Sequence, residues 1–393
     1  MRIGMFIDCD MQRVNGVVSS VSTVKQQLEK LGHEVYLFMP GERGCRDESA
    51  SGTYYFRSSV VFFAPEHRTS YPFPQRNFAA ISQLKIDVLH LHSPFSMGLM
   101  GLWYARRHGL PVVITHHTRW EDTLHYLPIP GVNHLRRLAI YAISQFDNAG
   151  DIVLAPSESI KQLLISQGVR KPLVVLPTGI NPEMFRGGQR ITTRTALGLN
   201  DSAKVCVTMG RLGKEKSLDF LIRAFAVVAG RDKNAILVLV GDGPERTNLE
   251  AQVQSLGLKD RVRFTGYIQR TEVRHFLAAA DVFVFGSLFE TQGLVVIEAM
   301  AAGLPVVGVD AFGTRDAVLH DKTGYLTPQE VGPFADKVID ILHNDALRQR
   351  FAAAAVARAE QFLSVDMATN MLAVYNQVLG RQDIPAKPLD FVA

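Results

Sequence analysis

The chain has 393 residues, 47% of them hydrophobic and 20% charged, with a formal net charge of +4. This composition excludes a disordered chain and the length exceeds one ordinary core, so two domains of roughly 100–200 residues each are expected. No stretch approaches the ~18 uninterrupted apolar residues of a membrane span, and Asp8 and Asp10 stop the apolar start MRIGMFIDCD too early for a secretory signal. In chain order, Arg2–Ile7, Glu34–Phe38, Val60–Phe63, Val88–Leu91, Val112–Thr115, Ile152–Ala155 and Leu173–Leu176 read as strands. Helical patterns at Ser19–Leu31 and Ser157–Gln167 lie between them. Prolines and glycines then interrupt the periodicity at Pro177–Gln189, which places a linker there. The scheme repeats with Lys204–Met209, Ile236–Val240, Val262–Thr265, Val282–Phe285 and Val306–Val309, and a last helical pattern spans Ser364–Leu379.

Near-continuous apolar strands separated by helices mark parallel sheets covered on both faces. The fold class is α/β, with two doubly wound Rossmann-like domains expected to face a central cleft. Their expected bounds are 1–180 and 181–363, with 364–393 forming a helix and tail that returns toward the first domain. Cys9, Cys45 and Cys206 are odd in number and lack CxxC spacing, which argues against a disulfide framework or a zinc site and for a reducing cytosol. Residues 1–180 hold 18 Lys and Arg against 14 Asp and Glu, whereas 181–393 hold 24 of each. The first part therefore owns the whole surplus, either as an ordinary solvated surface or as a face for an anionic partner.

Ligands of open α/β sheets bind beyond the carboxyl ends of the strands, so the loops there carry the candidates. GRLGKEKSLDF puts Arg211 at a strand tip and Lys216 a short turn later, with a helix opening near Ser217. Two cations beside a helix N-terminus suit a diphosphate, although surface cations in a loop read the same way. No GxxxxGK[ST] and no GxGxxG after the first strand are present, which weakens ATPase and dinucleotide readings. In FETQGLVVIEAMAAGLPVV, Gly293 opens an apolar helix carrying Glu298, and Glu290 lies in the loop before it. The backbone N–H groups of Gly293 and Leu294 favour a phosphate there. Glu298, among apolar neighbours, needs a hydrogen-bonding partner such as a ribose. His90 and His92 share a strand face, while His116 and His117 point apart, so only one of the latter faces the ligand edge. Asp8-Cys9-Asp10 has DxD spacing, but a strand end is a poor place for that metal motif.

These motifs resemble the donor site of retaining glycosyltransferases of family 4, which have the GT-B fold: Arg211 and Lys216, then Glu290 and Glu298 in E-x7-E spacing. Asn15–Gly16–Val17, DVLHLHSPF, PTGINPEMF, VGDGPE and AAADVFVFGS extend the resemblance over nearly the whole chain. One departure is VDAFGTRDAV, where such enzymes often carry a diglycine and a Pro-Glu. The resemblance implies a nucleotide-sugar donor, UDP-hexose first, with no metal or further cofactor. Arg211 and Lys216 would neutralise the diphosphate, Glu290 would hold sugar hydroxyls and Glu298 the ribose. Gly16 would let a loop approach the diphosphate, Gly266, Tyr267 and Ile268 would present backbone groups to the base, and His117 would face the transferred sugar.

For the acceptor, ITHHTRWEDTLHY and APEHRTSYP resemble segments of bacterial diacylglycerol glucosyltransferases. Arg136 and Arg137 beside Leu135, Leu138, Ile140, Tyr141 and Ile143 suit a helix lying on anionic lipid, or an ordinary helix packed on its sheet. The expected protein is a cytoplasmic, peripheral-membrane transferase of a hexose, glucose first, to a lipid hydroxyl, with no nucleic-acid partner. A family 4 enzyme for a soluble sugar phosphate or inositol phosphate is one alternative. A nucleotide-sugar-binding module without turnover is another.

Overall fold

The computed structural model describes residues 1–9, 16–41, 51–61, 64–71, 77–119 and 132–381. Among the described residues, those of 1–179 together with 364–381 form one compact unit, and Ile180–Leu363 form the other.

The first unit carries eight strands: β1 (Arg2–Phe6), β2 (Glu34–Gly41), β3 (Thr53–Val61), β4 (Ala64–Ser70), β5 (Val88–Leu91), β6 (Val112–Thr115), β7 (Ile152–Ala155) and β8 (Leu173–Val175). Their spatial order is β4-β3-β2-β1-β5-β6-β7-β8. All neighbours pair parallel except β3 and β4, an antiparallel pair at one edge. Among the described residues up to 179, the accompanying helices are α1 (Gly16–Lys30), α2 (Asn77–Gln83), α3 (Ser96–His108), α4 (Arg136–Asp147) and α5 (Glu158–Ser166). Every residue of β5, β6 and β7 is buried, as strands covered on both faces require. Ser157 caps α5 by accepting from the Ile160 N–H, and Gly109 ends α3 in the left-handed region at φ 63°.

The second unit is built from β9 (Lys204–Met209), β10 (Ala235–Val240), β11 (Val262–Phe264), β12 (Val282–Phe285), β13 (Val306–Val309) and β14 (Gly324–Thr327). The order β11-β10-β9-β12-β13-β14 is the doubly wound arrangement, and the chain reverses direction across the sheet between β9 and β12. The helices are α6 (Arg190–Ala196), α7 (Leu218–Arg231), α8 (Arg246–Ser255), α9 (Val273–Ala279), α10 (Leu294–Ala301), α11 (Phe312–Ala317), α12 (Val331–His343) and α13 (Asp345–Ala359). Two apolar clusters, one on each face of this sheet, form its core. The chain then re-enters the first unit as α14 (Ser364–Val378), whose Tyr375 is fully buried with its hydroxyl 2.7 Å from Nδ1 of His90.

The edges differ from the sequence expectation. Of the strand expected at Val60–Phe63, Val60 and Val61 end the longer β3 while 62–63 lie outside the described residues, and β4 and β14 were not anticipated. β3 is buried at its start, Thr53–Phe56, and largely exposed from Arg57 on, so the valines read as a strand core are the open end of it. β14 is four residues long and opens on a glycine, a weak strand signal in any sequence.

Candidate active site

The loops after β9 and β12 flank the point where the second sheet reverses, and both carry expected site residues. Beyond Met209 the chain turns at Gly210 and runs against the turn that follows β10. There Leu212 N–H donates to Asp242 O (3.0 Å), and Glu245 N–H donates to Leu212 O (2.9 Å). The approach is close enough that a Cβ on Gly241, itself at φ 132°, would lie 2.1 Å from Gly210 O. Only glycine fits there. Arg211 and Lys216 line one small concavity with Gly210, Leu212 and Phe285. Lys216 Nζ forms an ion pair with Glu290 Oε1 at 2.5 Å, and Ser287 Oγ donates to Glu215 O at 3.0 Å, tying the two loops together. Burial disfavours the Lys216 ammonium, but the Glu290 carboxylate outweighs it and holds the pKa above the usual lysine value. This places a fixed positive charge at the strand tips.

Gly293 sits in the left-handed region at φ 74° and opens α10, whose first-turn N–H groups have no acceptor within the helix. Gly313 N–H donates to Glu290 O (3.0 Å), so the loop before α10 is braced by the start of α11. At the departure from the diglycine pattern, Phe312 itself takes φ 30°, a conformation glycine adopts without cost. Its ring offsets that strain by packing on the apolar core beneath.

Glu298 is buried on α10, and its partner is Arg270, whose Nη2 donates to Oε1 at 2.7 Å. The carboxylate expected to wait for a ribose is thus already paired by a residue that the sequence reading missed. Burial pushes the Glu298 carboxyl up, and the guanidinium opposes that only in part. The signal for Arg270 was available: a carboxylate among apolar neighbours requires a cation, and Arg270 stands one residue beyond FTGYI. Arg270→Ala is expected to destabilise the fold by about 1–3 kcal/mol, by leaving a buried acceptor uncompensated. Adding Glu298→Gln should recover most of the loss. Urea denaturation of the single and double variants measures both, and a single variant as stable as the parent would exclude the coupling. Near this pair, Gly266 is left-handed at φ 72° and accepts from Gly241 N–H, Tyr267 is exposed and Ile268 packs on the core.

In the first unit the reversal lies between β1 and β5. Asp8, at the end of β1, accepts from the hydroxyls of Ser93 (2.5 Å) and Ser96 (2.6 Å) and from Met97 N–H (3.0 Å). Its oxygens anchor the start of α3, so this end of the DxD-like sequence is committed to protein donors. Gly16 is the first residue of α1, with open space where a Cβ would be. His90 and His92 do share a face, with ring centroids 4.0 Å apart. His116 turns to Asp147 (3.2 Å), whereas Nε2 of His117 lies 2.9 Å from Nδ1 of His92. Asn15, Asp10, Cys45, Pro72 and 120–126 lie outside the described residues, and the Glu66 side chain is likewise not described.

Burial, and next the nearby His117, push His90 down to about 3; burial, and next His116, do the same to His117. In the unfolded chain these rings bind protons below about 6.5, whereas the folded protein does not until about 3. The folded state should therefore keep its full stability above pH 6.5 and lose it on acidification toward pH 3. The slope should approach ~1.4 kcal/mol per pH unit for each such histidine. Urea midpoints at pH 7.5 and 5.5 measure this, and an unchanged midpoint would contradict it.

Arg136 and Arg137 are both exposed at the start of α4. Beside them Leu135, Leu138 and Tyr141 are 47%, 62% and 61% exposed, while Ile143 and Phe146 pack inward. Leu138 and Tyr141 in the first half of α4 thus lie on the outside of the described structure, while Ile140 is half-buried. No helix among the described residues is long and apolar enough to cross a membrane.

Residues 14–184 match the family described as Glycosyltransferase Family 4, and residues 189–358 match Glycosyl transferases group 1. The alpha-monoglucosyldiacylglycerol synthase of Streptococcus pneumoniae is 34% identical over 314 residues, covering 78% of this chain and 70% of that one. A GDP-mannose-dependent alpha-mannosyltransferase of Mycobacterium tuberculosis is 31% identical over 362 residues, covering 90% and 91%. Anabaena HepE, solved in complex with UDP-glucose, shares the fold with a TM-score of 0.77 at 20% identity, over 96% of this chain and 100% of that one. Two doubly wound units, with cations at the reversal point of the second, agree with these matches, and the chain belongs to the family 4 glycosyltransferases of GT-B fold.

Proposed function

We propose that this enzyme is a retaining hexosyltransferase that moves glucose from UDP-glucose to the hydroxyl of a diacylglycerol, at the cytoplasmic surface of an anionic membrane. The observation that carries this reading is the outward face of α4, where Leu135, Leu138 and Tyr141 stand exposed beside Arg136 and Arg137. Such a face is costly in water and suits the boundary between headgroups and acyl chains. The pneumococcal relative's name points the same way, and the UDP-glucose complex of HepE supports the donor class.

In this reading Arg211 and Lys216 stabilise the charge that grows on the departing diphosphate, which makes a metal unnecessary. Glu290 divides its carboxylate between Lys216 and the sugar hydroxyls. The N–H groups of Gly293 and Leu294 receive a phosphate, and Glu298, oriented by Arg270, receives the ribose. Gly16 leaves room for the diphosphate, Gly266 to Ile268 border the base, and His117 binds the transferred sugar. The departing phosphate takes the acceptor proton, so no separate base is required.

The test is a matrix of labelled UDP-glucose and GDP-mannose against diacylglycerol, phosphatidylinositol and sugar phosphates. Transfer from UDP-glucose to diacylglycerol with retention at the anomeric carbon is expected. The mycobacterial relative supplies the rival donor, and preferred transfer from GDP-mannose, or to a soluble phosphate, would overturn this reading.

A further inference from the structure

A surface helix normally turns polar residues outward, and α3 does so only at its far end. Phe95, Leu99 and Trp103, spaced four apart, are 45%, 57% and 41% exposed, whereas Met97, Met100 and Tyr104 pack inward. Ser96 is the one other position from Phe95 to Trp103 that is not buried, and its hydroxyl is held by Asp8. The helix has no acidic residue and ends on exposed Arg106 and Arg107. The Arg107 guanidinium lies over the Trp103 ring, 5.9 Å from its centroid. Ser70 N–H donates to Ser96 Oγ at 3.0 Å, which brings the exposed Tyr71 to the start of the stripe.

The stripe has a place and a direction. α3 leaves the carboxyl end of β5, so Phe95 stands at the ligand edge of the first sheet, and Trp103 lies about 12 Å farther along the helix. β5, β6 and β7 are neighbours and parallel, so right-handed crossovers set α3 and α4 on one face of the sheet. The two helices touch there: a Cβ on Gly98 would lie 2.9 Å from Cζ of Phe146. Polarity along α3 rises from Phe95 and Leu99 through the amphipathic Trp103 to two arginines. That is the order of acyl chains, interface and headgroups in a bilayer. We propose that the ligand edge of the first unit dips into an anionic bilayer through α3, with Phe95 and Leu99 among the acyl chains, Trp103 at the interface and Arg106 and Arg107 on the headgroups. The acceptor hydroxyl then reaches the site without its lipid leaving the membrane. α3 and α4 insert as one rigid face, so serines on either helix bar both from the acyl region. This inference rests on the reading of a lipid acceptor and names the surface that brings the lipid to the site.

Trp103 reports on it directly. Its emission, taken as the difference between the parent and Trp103→Phe, should be quenched by phosphatidylglycerol vesicles with brominated acyl chains and spared by the same vesicles without bromine. Phe95→Ser with Leu99→Ser should weaken the vesicle binding that survives high salt by about 10-fold or more, because two large apolar side chains no longer leave water. Transfer to long-chain diacylglycerol in vesicles should fall more steeply in this variant than transfer to monomeric dihexanoylglycerol. Unquenched Trp103 in a parent that sediments with vesicles overturns the proposal and leaves the α4 contact standing, even if the serine variant fails to fold. Equal losses with the two acceptors overturn it as well, because they mark a structural role. So does a serine variant that turns a dimer into a monomer with vesicle binding intact, which would give the stripe to a second copy of this chain. A parent that does not sediment with vesicles removes the membrane reading itself, and this inference with it.

Discussion

Replacing Lys216 with alanine should lower turnover by about 30- to 1,000-fold, the ~2–4 kcal/mol expected when a charge-assisted contact that strengthens in the transition state is lost. The Glu290 carboxylate holds the ammonium at the strand tips before any donor arrives, so little reorganisation is needed when leaving-group charge develops. Lys216→Arg should retain part of the rate, because it keeps the charge but not the point-like fit against Glu290. Arg211→Ala should behave like Lys216→Ala, since both side chains line the same concavity. The effect should fall mainly on kcat, with UDP affinity reduced less. Single-turnover transfer from UDP-glucose alongside UDP titration separates the two. Folded alanine variants with near-native turnover would remove both cations from the mechanism.

Legibility in the sequence followed burial. Strands buried on both faces, such as VLHL, VVIT and IVLA, are recognisable because apolar residues run along them almost without interruption. The edge pair β3 and β4 is not, because an exposed strand end accepts arginine, serine and threonine. The site divides in the same manner. Loop positions are readable from strand ends and glycines, which is how Arg211, Glu290 and Gly293 become candidates. Pairings are not readable, because the packing of elements distant in sequence makes them. Arg270 meets Glu298 across 28 residues, and His92 meets His117 across 25. The pairing of β5 with β6, which sets Leu91 opposite Ile114, carries the latter two histidines side by side. Phe312 is a further case: a left-handed phenylalanine has no signature in sequence, where glycine would have announced the turn.

Changing Arg136 and Arg137 together to glutamate should weaken binding to anionic vesicles by roughly thirtyfold or more. Each basic side chain near such a surface contributes about 1 kcal/mol, and reversing the charge adds repulsion to the loss of attraction. The exposed Leu138 and Tyr141 supply a second contribution of a different kind. Apolar insertion does not depend on ionic screening, whereas attraction to the leaflet is largely screened at 1 M salt, where the Debye length is about 3 Å. The parent protein should therefore lose part of its binding in high salt and keep a residue of it. Leu138→Ser with Tyr141→Ser should remove that residue while leaving the salt-sensitive part. A helix that used these residues only for packing predicts a different pattern, in which the apolar variants lower stability and neither pair moves the protein off the vesicle. Sedimentation with vesicles of graded anionic-lipid content, at low and high salt, distinguishes the two. Binding indifferent to lipid charge, to salt and to both double variants would remove α4 from the membrane contact, and with it the main support for a lipid acceptor.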